Sequence, residues 1–194
     1  MTDLKAQQHQ LRENVILETT HHYMMEQGFA DMNMDALASR IGISKATLYQ
    51  HFSSKEELAV RVILYSMRES EEHFKSLDAS LPALERLEIV LRRGIEKRMK
   101  LWSLRTPVLP ATIREDPRIY EQYRKLAYAV AELVDAAKAD GSVRTTLSTP
   151  VVVRMYSSFF TILYQDLIHD NIVSPEELGE SLVSIFLNGI RSES

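Results

Sequence analysis

Residues 28–58 read GFADMNMDALASRIGISKATLYQHFSSKEEL. Met34, Leu37, Ala38 and Ile41 recur at helical spacing behind Asn33, whose side chain can cap a helix start, and Gly42 follows where a left-handed residue ends one. Ile43 plugs the turn. Ser44 stands ready to cap a second helix, in which Leu48 and Phe52 face inward at i and i+4. Lys45, Ala46, Thr47, Tyr49, Gln50 and His51 are thereby left on the outer or flanking surface. Two short helices joined by a tight turn, over about residues 33 to 52, make a helix-turn-helix. A major groove is wide enough for one helix, and its base edges offer bonding partners to short polar side chains. Thr47 and Gln50, with the small Ala46 allowing close approach, are the expected base readers. Free N–H groups at the start of the second helix and Lys45 suit a phosphate. Tyr49 and His51 can donate from the flanks, and Lys55 opens the next helix where its charge reaches the same strand.

Outward from this stretch the pattern stays helical. Six glycines and six prolines in 194 residues punctuate helices and do not space short strands. The periodicity predicts helices over about 8–27, 34–41, 45–51 and 55–77, then 82–104, 107–114, 117–139, 150–170 and 175–190. Asp116, Thr149 and Ser174 precede prolines at helix starts, and Ser54 with Glu57 and Ser174 with Glu177 match the capping box. The fold class is all-α, with a three-helix helix-turn-helix domain over 1–65 joined through a long helix to a larger helical domain over 66–194.

Composition narrows the function. Hydrophobic residues make up 45% and charged residues 26%, enough apolar material for a real core. No cysteine is present, which removes disulfide scaffolds, zinc ribbons and thiolate chemistry and fits a cytoplasmic setting. The longest apolar run, Leu126 to Ala131, falls far short of the roughly 20 residues a membrane span needs. A net charge of -4 gives no global attraction to nucleic acid. Residues 1–65 themselves carry 6 Lys and Arg against 8 Asp and Glu, with Asp31 and Asp35 near the expected DNA face. DNA binding must therefore rest on few phosphate contacts and on a dimer.

Gly28-Phe29, Leu37-Ala38, Gly42-Ile43-Ser44, Thr47-Leu48-Tyr49, His51-Phe52 and Lys55-Glu56-Glu57-Leu58 together resemble the DNA-binding domain of the TetR family of bacterial transcriptional regulators. The resemblance covers the N-terminal third. It implies DNA contacts from Lys45, Thr47, Tyr49, His51 and Lys55, and a helical C-terminal domain that dimerises and often binds a small ligand. Asn33 stands where the family commonly has threonine, and is an equally good cap. The implied function is transcriptional regulation, by repression in the family's usual mode, with no enzymatic activity and no cofactor.

An enzyme reading starts from Glu18-x-x-His21 and Asp166-x-x-His169, since a carboxylate and a histidine three apart share a helix face and can hold a metal, as in di-iron bundles. Surface pairing is the ordinary explanation of such spacings, and no phosphate-cradling glycine loop or nucleophile elbow accompanies them.

In the larger domain, Met99, Trp102, Tyr123, Tyr128, Tyr156, Phe159 and Tyr164 are expected to line an apolar pocket for a small effector, the tyrosines orienting it by a few hydrogen bonds. Apolar residues almost all round the helix from Pro150 and a wide stripe on the last helix predict a two-fold interface involving Met155, Ile162, Leu182, Ile185 and Phe186. A homodimer would carry two heads and meet a near-palindromic operator.

Overall fold

A computed structural model describes residues 2–103, 109–160 and 164–192, with the side chains of 2–6, 8, 100–103 and 165 left aside. Among the described residues ten helices run in the order α1 (Thr2–Gln27), α2 (Met34–Ile41), α3 (Lys45–His51), α4 (Lys55–Ser76), α5 (Ala83–Ser103), α6 (Ala111–Arg114), α7 (Pro117–Ala139), α8 (Thr149–Ser158), α9 (Gln165–His169) and α10 (Pro175–Ile190). Among the described residues the only ladder contact is an isolated bridge between Val143 and Arg191, so the all-α expectation holds.

The chain divides into two compact units, Met1–Arg68 with Thr106–Gln122, and Glu69–Arg105 with Tyr123–Ser194. The sequence pattern places 106–122 in the second domain, whereas its contacts group it with the first. In the first unit Ile16, Leu17, Met34, Leu37, Leu48, Phe52, Leu58 and Val62 form one buried cluster, drawn from α1 to α4. These are the inward positions that helical spacing selects. In the second unit α5, α7, α8 and α10 bury Leu87, Leu91, Ile95, Val130, Val134, Tyr156, Phe159, Leu182 and Phe186 together.

One predicted element divides. The helix expected over 150–170 ends at Ser158, and a short α9 begins at Gln165. No proline or glycine marks the break. Ser157 and Ser158 instead turn their hydroxyls back onto the carbonyls of Val153 and Met155, at 2.9 and 2.7 Å, which offers the backbone an alternative to the next helical bonds. The helix expected from 107 is reduced to Ala111–Arg114 among the described residues, behind Pro110. The start of α8 is also built differently from expectation. Thr149 does not cap the helix but donates to Asp135 and accepts from Lys138.

Candidate nucleic-acid interface

The helix-turn-helix is closed by its own side chains. Asn33 Oδ1 accepts from the N–H groups of Asp35 (2.8 Å) and Ala36 (3.2 Å) at the start of α2. Gly42 ends that helix at φ +81° and donates back to Ala38 and Ser39, a left-handed conformation that costs a glycine nothing. Ser44 Oγ then accepts from the Thr47 N–H at 3.0 Å and holds α3 at a fixed angle. Leu48 and Phe52, both buried, fasten α3 to the core. Ser54 caps α4 through the Glu57 N–H at 3.0 Å.

With those two residues turned inward, Lys45, Ala46, Tyr49 and Gln50 of α3 are exposed, as are the caps Asn33 and Ser44. Thr47 is half-buried, and its hydroxyl is engaged with Ser44 Oγ at 2.8 Å. With its hydroxyl so engaged, Thr47 can still offer its methyl group to a thymine methyl. His51 is half-buried at the end of α3, its ring centroid 4.5 Å from that of His9 on α1. Burial holds its pKa below the ordinary histidine value, with the neighbouring His9 adding to the effect, and its Nδ1 is buried without a hydrogen-bond partner. The lowered pKa favours the neutral ring. It can act at a phosphate as a hydrogen-bond donor through Nε2.

The cations are less free than the sequence suggests. Lys45 Nζ lies 2.8 Å from Asp35 Oδ2, and this carboxylate raises the lysine's pKa. Lys55 Nζ donates to the Ala30 carbonyl at 3.0 Å and sits 4.7 Å from the centroid of the Phe29 ring. Arg40 grips Glu26 with both terminal nitrogens, at 2.5 and 2.8 Å. Behind the interface, Arg61 reaches the buried Glu13 at 2.6 Å, and Arg118 forks onto Glu57 at 2.9 and 2.7 Å while also holding Asp116. Arg118 and Asp116 are two residues apart, but the other pairs join residues 10 to 61 apart, beyond the reach of local sequence patterns. The one signal in the sequence is the acidic excess itself, which makes carboxylate partners plentiful around the cations.

The other expected sites fare unevenly. Met99, Tyr156 and Phe159 are buried in the core of the second unit, and Tyr164 packs against that core. Tyr123 and Tyr128, expected to face a pocket, are 46% and 63% exposed. α7 turns Gln122 inward in place of Tyr123, and its buried stripe runs through Ile119, Val130, Leu133, Val134 and Ala137. Trp102 lies in α5 with its side chain outside the described residues, as is the whole of Ile162. A cleft of about 670 Å³ does open between α5 and α10, floored by Ile95, Met99 and Val183 and rimmed by Arg92, Glu96, Glu176 and Glu180. Of the expected dimer residues, Leu182 and Phe186 are corrected. Both are buried within the protomer, since that face of α10 packs on α5 and α8, whereas Met155 and Ile185 are 52% and 66% exposed. Glu18 and His21 share α1, and Asp166 and His169 share α9, yet among the described residues no three His, Asp or Glu side chains converge as a metal site requires.

Residues 16–62 match the pattern of bacterial regulatory proteins of the tetR family. The HTH-type transcriptional regulator EthR of Mycolicibacterium smegmatis is 27% identical over 191 residues, spanning 92% of this chain and 86% of that protein. Residues 16–62 are thus a DNA-binding domain of the TetR type. The fold of the chain matches those of solved TetR-like regulators at low identity. The fatty acid degradation regulator FadR of Bacillus halodurans superposes with a TM-score of 0.72 at 17% identity, over 94% of this chain and 97% of that one. FadR of Bacillus subtilis in complex with stearoyl-CoA superposes with a TM-score of 0.66 at 17% identity, over 91% and 98%. The chain is a helix-turn-helix, DNA-binding transcriptional regulator.

Proposed function

We propose that this chain is a cytoplasmic repressor of the TetR family, that it binds a near-palindromic operator as a homodimer, and that a small effector releases it. The observation that carries the DNA-binding part is the outer face of α3. Leu48 and Phe52 are spent on the core, and Lys45, Ala46, Thr47, Tyr49 and Gln50 form one polar, shallow surface sized for a major groove. Asn33, Ser44, Tyr49, His51 and Lys55 position the helix on phosphates, while Thr47 and Gln50 read bases. Among the described residues no helix is long and apolar enough to cross a membrane.

Dimerisation draws support from Val151, Met155 and Ile185, large apolar side chains left 60%, 52% and 66% exposed on the second unit. Two heads related by a two-fold axis would meet half-sites about 34 to 36 Å apart or a multiple of that. For the effector, the cleft between α5 and α10 has an apolar floor and a charged rim, the profile of a site for an amphipathic molecule. The stearoyl-CoA bound by the Bacillus subtilis FadR makes acyl compounds the first class to try. If an effector weakens operator binding, the operator must weaken effector binding by the same factor.

Selection of bound duplexes from a random pool tests the reading. A dyad-symmetric site recovered by the wild-type chain, bound by a dimer in light scattering, supports it. Failure to enrich any sequence removes the DNA-binding reading, and a monomer at micromolar concentration removes the dimer. Titrating acyl compounds with and without the selected operator then tests release.

A further inference from the structure

Asp35 is the second residue of α2 and Lys45 the first of α3, and the turn through Gly42 folds the two helix starts side by side. The result is an ion pair at 2.8 Å on the surface expected to face DNA, with the side chains 66% and 50% exposed. Lys55, the other lysine of the interface, holds only a neutral carbonyl and an aromatic ring. The two lysines therefore differ in what DNA must displace. A phosphate arriving at Lys55 replaces a neutral partner, whereas one arriving at Lys45 meets a carboxylate already seated there. Lys45 is thus already paired before DNA arrives, and its contact with phosphate releases fewer counterions than a free lysine's would.

We propose that Asp35 is an internal stand-in for a DNA phosphate, competing for Lys45 and so setting how tightly the head holds DNA of any sequence. This rests on the DNA-binding reading above and adds a determinant of its strength. Because phosphate contacts carry no direct sequence information, the competition is blind to sequence and lowers operator and non-operator affinity alike. In a head with more acidic than basic residues, one carboxylate at the contact surface weighs heavily. A different role would leave a different mark: an exposed carboxylate that accepted a hydrogen bond from cytosine N4 would change base preference.

The test uses the full chain as wild type, Asp35→Asn, Lys45→Ala and the double variant. Each is titrated against the selected operator and against a scrambled duplex of equal length, over a range of KCl concentrations, with thermal melts confirming that the variants stay folded. Asp35→Asn is expected to tighten both duplexes by the same factor, about three- to tenfold near 0.1 M salt, and to steepen the salt dependence of log K by about 0.9. In the Lys45→Ala background the same substitution should change neither affinity by as much as twofold. Equal gains with and without Lys45 would overturn the proposal in favour of plain charge repulsion. A changed operator preference would make Asp35 a base reader, and unchanged affinity would remove it from binding. If the wild type bound neither duplex, the DNA-binding reading itself would fall and this inference with it; wild-type binding with indifferent variants sinks only the inference.

Discussion

The two units are held together in different ways. In the first, short elements are closed by neighbours in sequence: Asn33, Ser44 and Ser54 each cap the helix that follows, and Gly42 turns the chain between two of them. In the second, long helices meet through side chains far apart in sequence, and the aromatic rings of Tyr156, Phe159 and Phe186 lie with centroids 5.8 to 6.0 Å apart. Local closure sets the angle between α2 and α3, which a groove-reading surface needs. Distant packing fixes a core while leaving its outer faces free to vary, which suits a ligand- and partner-binding region.

If the units are separate cooperative bodies, the largest effect comes from emptying one core alone. Phe52→Ala removes a ring that is 1% exposed and should cost about 3 to 5 kcal/mol. Leu87→Ala in the second unit, at a residue 0% exposed, should cost about 2 to 5 kcal/mol. Native-state hydrogen exchange is the decisive measurement. Phe52→Ala should accelerate exchange in α2 and α3 and spare α10, with Leu87→Ala doing the reverse. Equal acceleration in both units would break the comparison.

A smaller effect separates the two kinds of glycine. Gly42 is required for its conformation: a Cβ there would meet nothing within 4 Å, yet φ is +81°. Gly42→Ala should destabilise the head by about 1 to 2 kcal/mol. Gly94 is required for space, because a Cβ on α5 would lie 2.8 Å from the Phe160 ring. Alanine at 94 gains about 1 kcal/mol of helix propensity, which offsets much of the cost of shifting that ring. Thermal melts should therefore show Gly42→Ala as the more damaging change, with the Phe160 resonances moving only in Gly94→Ala. The opposite order would remove the distinction.

Much of the head was legible because its instructions are local. Asn33, Gly42, Ser44 and Ser54 act within three or four residues of themselves, and each does in the structure what its position predicts. The second unit was legible as helices but less so as faces. Whether Ile185 or its neighbour Phe186 points inward depends on how α10 meets α5, and a stripe that includes both cannot decide it. Tyr123 and Gln122 posed the same ambiguity on α7, resolved against the more apolar residue. The break after Ser158 escaped because serine back-bonding has no fixed sequence signature. The ion pairs escaped because Asp35, Glu26, Glu13 and Glu57 find their cations only after the chain has folded.

One such pair predicts a modest acid sensitivity confined to the head. Arg118 holds the Glu57 carboxyl below its ordinary pKa, and Asp116 as well. A depressed carboxylate contributes stability that is present above its unfolded pKa, near 4.5, and is lost as pH falls through the lower folded value. The pair is partly open to solvent, so the contribution should stay below about 1 kcal/mol. Urea titrations of wild type and Arg118→Leu between pH 6 and pH 3 should converge as the pH falls. A constant gap would show that Arg118 acts through packing alone.

The smallest effect belongs to His51, and it runs in opposite directions for stability and for binding. Burial, with His9 and Arg12 lowering it further and Glu13 only partly opposing them, keeps the folded pKa below the unfolded value near 6.5. The unfolded chain therefore takes up a proton first as pH falls. Stability that is present above about 6.5 is lost below it, until the folded pKa is passed. If Nε2 of His51 donates to a phosphate, the complex favours the charged ring, so operator affinity should rise over the same interval. One proton taken up limits that rise to about tenfold per pH unit. His51→Gln keeps a hydrogen-bond donor without a titrating charge, and should bind operator much as wild type does at pH 7.5 while losing the gain at pH 6. If the variant keeps the wild-type rise in affinity, the titrating group lies elsewhere, and the tight contact of His51 with His9 serves only to pack the end of α3 against α1.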